Sequence, residues 1–489
     1  MDPSLRALIR LLVPRIPLIL KTALLNALSL SENSSRQDTR TEITVALIRS
    51  ITQIRKPMRF LQRLSTRDPG IKGPMLVSKD TIPASNDHAI RDVLDATIRE
   101  LGDGSETYTL PEVVAVEIEW ITHRPRVPAN EPRADLPELQ HYQTIMENIS
   151  SPTTILYFHG GAYFLMDPAS HRVTTSRLAK LTGGRCCSVR YRLAPQHPFP
   201  SQLLDAFIAY LSLLSPPVGM HHTPVAAQHI VFAGDSAGGN LAIALMLFLL
   251  TLKRMGIQSI NFHGAEVPLE LPGGVATNSA WVDIGLSMPS LQRNAHFDYL
   301  DPPSAVGLSK TEPLPDDLWP ATPPRAEIFC NASMMMHPLA SPLAAPPRLW
   351  EGMSPVFMCL GNEGLEDEIT LMARKMDQGG GIVEFAGYEG MPHCFAMVFP
   401  ASPMGRDCFE RWAKFCSDST QGRRRKSSRA SWAKAFSNPP VHQDVELNQI
   451  TQISDEDVFK FMKERKEQAI SREQKALTKW REQQSRAKL

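Results

Sequence analysis

No CxxC pair occurs in this chain, and its seven cysteines are an odd number with two adjacent, Cys186 and Cys187. Neither a disulfide framework nor a zinc site fits that pattern, and a reducing, intracellular compartment is expected. An excess of one charge sign is also missing. The 52 Lys and Arg against 51 Asp and Glu leave a formal charge of +1, so bulk charge gives no reason to expect nucleic acid or an acidic partner. The apolar N-terminus, MDPSLRALIRLLVPRIPLILKTALLNALSL, is broken by Arg6, Arg10, Arg15 and Lys21. Its longest uncharged stretch falls short of a membrane span, it lacks the compact layout of a signal peptide, and Pro14 and Pro17 interrupt any helix. Internal repeats are absent.

The 489 residues are 43% hydrophobic and 21% charged, which suits one large globular domain with extensions. Residues 1–110 read as mainly helical; the run Thr41–Arg63 has apolar residues at helical spacing. The first 30 residues are expected to pack over the domain, with peripheral contact to a membrane surface as the second reading. That leaves the cytoplasm or the face of an internal membrane as locations, the endoplasmic reticulum among them. Residues 111–416 are expected to form the main domain. In it, Val113–Arg124 suits an early strand and 126–150 a surface loop. The short apolar runs Thr153–His159, Arg185–Tyr191, His229–Gly234, Pro355–Gly361 and Gly381–Phe385 alternate with helical segments. Continuous apolar strands between helices imply a mainly parallel central sheet covered on both faces. Residues 285–350, rich in Pro and Met, fit an insertion able to roof a pocket. Residues 417–453 read as a basic flexible linker around Gly422–Arg429, and 454–489 as a charged, solvated helical tail, with Ser454 and Asp457 spaced as an N-cap.

The strongest chemical signal is Gly234-Asp235-Ser236-Ala237-Gly238-Gly239. It follows an expected strand and opens an expected helix, the context in which Gly-x-Ser-x-Gly raises a nucleophilic serine on a sharp turn. The N–H of Ala237 would then face a bound carbonyl at the helix N-terminus. Upstream, His159-Gly160-Gly161-Ala162-Tyr163 ends another strand. Its glycines let backbone N–H groups approach an oxyanion, and His159 is expected to hold the loop rather than react. A serine needs a base and the base an acid, in the order serine, acid, histidine. His393 follows the last expected strand of the catalytic domain; His337 precedes the strand at Pro355–Gly361 and His442 lies in the tail. Within Gly361–Glu368, Glu363 comes first after the strand, and Asp367 is the alternative acid.

Four motifs in order, HGGAY, DPASHR (167–172), YRLAPQHPFP (191–200) and GDSAGGNLA (234–242), resemble the hormone-sensitive-lipase-like branch of the α/β hydrolases. HPLASPLAA (337–345), GNEGLEDE and EGMPHCF (389–395) look like a fungal esterase and steryl-acetyl-hydrolase-like subgroup. The resemblance covers residues 150–400. It implies an α/β-hydrolase fold with an N-terminal helical cap over the pocket. It also implies a triad of Ser236, Glu363 and His393, and an oxyanion hole at Gly160, Gly161, Ala162 and Ala237, with Gly160 shaping the loop. Ala162 stands where the family has a third glycine, which leaves the backbone donor intact. Glu363 stands where the family commonly has Asp, and Gln196 where it has Glu. The expected chemistry is acyl transfer through an acyl-enzyme on a small hydrophobic ester, such as an acetylated sterol, a lipid or a secondary metabolite, with no metal or organic cofactor. The rivals are a ligand-binding protein on a hydrolase scaffold and an interaction protein working through its charged tail.

Overall fold

The computed structural model describes residues 9–301, 313–423 and 425–486. The first eight residues of the apolar N-terminus, part of the 285–350 insertion and the last three residues of the tail lie outside the described residues.

Alternation along the strands explains the layers. In β3 (Thr154–Phe158), Ile155 and Tyr157 join one hydrophobic cluster while Leu156 and Phe158 join the other. In β5 (Ile230–Asp235), Val231 and Ala233 point to the first side, Ile230 and Phe232 to the second. Every residue of both strands is buried, as a sheet covered on both faces requires. One cover is the helix pair Pro168–Thr182 and Pro403–Thr420, whose Leu178, Phe409 and Trp412 meet the first cluster. The other includes Ser201–Leu214 and Ala237–Arg254, which supply Leu203, Ile208 and Leu245. By length and composition Ala237–Arg254 could cross a membrane, but 89% of it is buried inside this domain. Each fully buried Leu in it stabilises the fold by about 1.5–3 kcal/mol.

The remaining strands of the sheet are β1 (Met75–Ile82), β2 (Val116–His123), β4 (Arg185–Arg190), β8 (Gly274–Asn278), β9 (Val356–Gly361), β10 (Val383–Tyr388), β11 (Arg429–Ala433) and β12 (His442–Val445); β6 (Ser259–Phe262) and β7 (Ala265–Pro268) form a separate hairpin. The order is β1-β2-β4-β3-β5-β8-β9-β10-β11-β12. From β4 to β11 all pairs are parallel; β1, β2 and β12 add antiparallel edges. Parallel strands put their carboxyl ends on one edge. Register pairs Phe158 with Gly234, Asp235 with Asn278, and Asn278 with Cys359. The loops after β3, β5, β8, β9 and β10 therefore open side by side.

Four expectations about the extensions and the insertion change. Residues 1–110 are helical over Ile16–Ala27, Thr39–Thr52, Met58–Ser65 and Ala89–Leu101, but Met75–Ile82 is a sheet strand, paired with β2 along its whole length. Residues 417–453 are not a flexible linker: β11 and β12 extend the sheet, and Trp432 of β11 packs across Gly387 of β10, where a side chain on residue 387 would collide with the indole. The insertion is less a roof than a second wall, since Phe329, Cys330, Met334, Leu339 and Leu343 are buried in the larger core cluster. The tail forms one helix, Asp455–Arg486, started by reciprocal Ser454 and Asp457 bonds. It is docked, not free. Val458, Met462 and Ala469 are buried, and the Glu473 carboxylate accepts the Ala326 N–H at 2.9 Å.

Candidate active site

Ser236 alone makes the turn between β5 and the helix Ala237–Arg254, at φ +51° and ψ −120°. A non-glycine residue pays about 1–3 kcal/mol for such a backbone, so its neighbours must hold it. Its N–H donates to Asn278 O at 3.0 Å, and its C=O accepts from Asn240 and Trp281 N–H at 3.1 and 3.0 Å. Gly238 makes room for the close crossing of β3, because a Cβ there would run into Phe158 O. The result is a partly exposed serine among buried neighbours.

Two and three strands over, at the ends of β9 and β10, Glu363 and His393 meet. Glu363 Oε1 lies 2.8 Å from His393 Nδ1. A carboxylate only accepts, so Nδ1–H donates to it, and in the neutral ring Nε2 holds the lone pair. Glu363 Oε2 accepts from Ser279 Oγ at 2.6 Å and from Gly361 N at 3.1 Å. Ser279 Oγ also accepts the Cys394 N–H at 2.9 Å. It thus ties the acid loop to the histidine loop from the strand beside Ser236. Glu363 is fully buried and His393 is 4% exposed.

A second buried carboxylate, Asp298, braces the same pair. Its oxygens accept the N–H of His393 at 3.0 Å, of Gly364 at 2.7 Å and of Tyr299 at 2.7 Å. The Tyr299 hydroxyl donates to His393 O at 2.8 Å. Burial pushes the Asp298 carboxyl up, against the pull of His393. For His393, burial opposes the charged imidazolium, but Cys394 and Glu363 outweigh it, and the ring sits well above its ordinary range. Cys394 Sγ is 3.4 Å from His393 Nε2, and burial pushes its thiol up to about 11.

The loop after β3 turns through consecutive positive φ values at Gly161 (+104°), Ala162 (+52°) and Tyr163 (+65°). A side chain at Gly161 would strike Leu165 O. Gly161 and Ala162 are partly exposed, and their N–H groups, like that of Ala237, meet no acceptor among the described residues. Gly160 departs from its place among the expected oxyanion donors. It is buried, and its N–H is taken by Asp235 Oδ1 at 3.2 Å, so it anchors the loop. Asp235 also accepts from Tyr157 OH at 2.6 Å and pairs with His171 Nε2 at 3.2 Å. Burial works against this ion pair, yet each partner keeps the other charged: His171 is raised and Asp235 lowered. The DPASHR and GDSAGG motifs thus meet under the loop that follows β3. His159 stacks on Tyr191 at 4.2 Å and shares Nδ1 with Gly160 O at 2.7 Å. Burial lowers it to about 3, so it is neutral and structural.

The alternatives lie elsewhere. Asp367 accepts from Ser290 N at 2.7 Å and pairs with Arg293 at 2.6 Å. His337 Nε2 bonds Ile98 O at 2.9 Å. His442 pairs with Asp407 at 2.9 Å. Sequence reasoning did not single out Ser279, Asp298 or Tyr299; none sits in a motif, and Asp298 lies within an irregular insertion.

Residues 155–397 match a family described as having the alpha/beta hydrolase fold. The esterase of Acinetobacter venetianus is 28% identical over 276 residues, 56% of this chain and 78% of its own. The acetyl-hydrolase of Streptomyces hygroscopicus is 28% identical over 272 residues, 55% of this chain and 76% of its own. Human hormone-sensitive lipase is 35% identical over 97 residues, 20% of this chain and 9% of the lipase.

Proposed function

We propose, from the premise that this chain belongs to the hormone-sensitive-lipase-like branch of the α/β hydrolases and hydrolyses carboxylic esters, that Ser236, Glu363 and His393 are its catalytic triad. The observation that carries this is the buried Glu363–His393 contact of 2.8 Å, on the same carboxyl edge of the sheet as a serine held at φ +51°. His393 Nε2 takes the Ser236 Oγ proton as Oγ bonds the ester carbonyl carbon. The N–H groups of Gly161, Ala162 and Ala237 stabilise the oxyanion. The C–O bond to the alcohol breaks and the alcohol leaves with the proton from His393. Water then repeats the sequence on the acyl-serine, returning free acid and Ser236.

The substrate is a hydrophobic ester, with acetyl esters of sterols, lipids or secondary metabolites as the leading class. The Streptomyces relative's name, acetyl-hydrolase, supports a small acyl group; the half-buried Trp281 and Tyr299 beside the serine and histidine support an apolar alcohol. The test is hydrolysis of p-nitrophenyl esters from acetate to palmitate by wild type and Ser236→Ala. A serine-dependent rate greatest on acetate supports the proposal. A folded wild type inactive on every chain length contradicts it and favours a ligand-binding role.

A further inference from the structure

The helix Ile16–Ala27 packs one face on the helix Thr39–Thr52, where Arg15 Nε donates to Ser50 Oγ at 2.7 Å and Thr39 Oγ1 donates to Asn26 Oδ1 at 2.6 Å. Its other face holds Ile16, Leu20, Leu24 and Leu28 at a spacing of four, with exposures of 46%, 63%, 59% and 57%. Residues four apart lie on one side of a helix, so these four form a continuous apolar stripe. Phe60 and Leu64 of the next helix add two more exposed apolar side chains. Single exposed leucines need no explanation, whereas a stripe of this kind does.

We infer that this stripe docks on the surface of an anionic lipid bilayer. Two observations select that occupant. Residues 9–31 contain Arg10, Arg15 and Lys21 but no Asp or Glu, so the segment that carries the stripe has only cationic charges of its own, which complement anionic headgroups. The same N-terminal segment also grips the catalytic edge. Gln37 donates to Phe297 O and Gly390 O, both at 2.8 Å, and Arg49 bonds the carbonyl of Asp298. Ser65 Oγ accepts the N–H of Met166, just past the oxyanion loop, at 3.0 Å. Docking the stripe therefore places the catalytic edge beside the membrane, where an apolar ester partitions. The inference stands on the surface itself and does not depend on the triad being active.

The experiment is flotation of the full chain with vesicles of phosphatidylcholine, with or without phosphatidylserine, for wild type and a Leu20→Glu, Leu24→Glu, Leu28→Glu variant. All three positions are exposed, so the variant keeps its fold, checked by circular dichroism. Wild type should float with the phosphatidylserine vesicles, less so in high salt. The variant should lose binding by on the order of tenfold per leucine. Both should hydrolyse dissolved p-nitrophenyl acetate equally; a loss of that activity in both would count against the triad and leave this inference standing. Wild type that stays unbound, or a variant that floats as well as wild type, overturns it. So does a wild-type dimer, seen by light scattering, that the three substitutions dissociate while vesicle binding is absent, because the stripe would then be covered by a second copy.

Discussion

Glu363→Gln isolates the acid from its surroundings. The carboxylate makes three contacts, to His393 Nδ1 at 2.8 Å, Ser279 Oγ at 2.6 Å and Gly361 N at 3.1 Å. Glutamine keeps the shape and one acceptor oxygen. If that oxygen faces His393, the new NH2 faces the Ser279 hydroxyl and the Gly361 N–H, which also donate. If the amide turns over, its NH2 faces Nδ1 and forces the proton to Nε2, the wrong tautomer for a base. Either way the imidazolium formed during attack loses its buried counter-charge. By analogy with an Asp-to-Asn change in another triad, kcat should fall about 10⁴-fold, or about 5 kcal/mol of barrier, with KM little changed. Asp367→Asn is the control. It weakens the pairing with Arg293, itself 49% exposed, so it should cost about 1 kcal/mol of stability and leave kcat within about threefold. The assay is p-nitrophenyl acetate hydrolysis beside thermal melts. Glu363→Gln with more than about a tenth of wild-type kcat, or an equal loss in Asp367→Asn, refutes the assignment.

Asp298→Asn should lower kcat by about 10- to 100-fold with little change in KM, because the carboxylate bridging Gly364 and His393 holds the acid and base loops in register. Steady-state kinetics with a melting curve check it. The residual activity of Glu363→Gln should show its acidic kcat/KM limb at lower pH than wild type. Activity needs neutral His393, whose raised range puts the wild-type limb above pH ~6.5, and the Glu363 carboxylate is one of the groups that raise it. His171→Gln should destabilise the chain most near pH 6, where protonated His171 pairs with Asp235, by about 3 kcal/mol. The stability from a raised histidine is complete below its unfolded value and is lost as pH rises through the folded one. Melts of wild type and variant should therefore converge toward alkaline pH.

Ser236 and His393 were legible as candidates because their local patterns carry the expected chemistry. A strand, GDSAGG and a helix leave one place for a strained serine, and chain order leaves His393 as the late histidine beside a strand end. Glu363 was legible as the first acid after β9, and the fold confirms only that it reaches His393. What stayed hidden depends on contacts distant in sequence. Asp298 bonds His393 across 95 positions and Ser279 bonds Glu363 across 84. The Gly160 N–H looked free until β3 and β5 were laid side by side and Asp235 took it. β11 was masked by the basic run before it, GRRRKSSR. Its Ala430 and Ala433 are buried, but five residues of mixed polarity give too little alternation to mark a strand. β1 alternates poorly as well, with SKD in its middle.

The most direct test of the account is labelling with a fluorophosphonate, which needs an activated serine and no guess about substrate. Wild type should gain one adduct by intact mass, mapped to the peptide containing Ser236, and lose esterase activity in step. Ser236→Ala should gain none. A folded wild type that resists the probe, or an adduct on a different residue, would contradict the claim that Ser236 is the nucleophile.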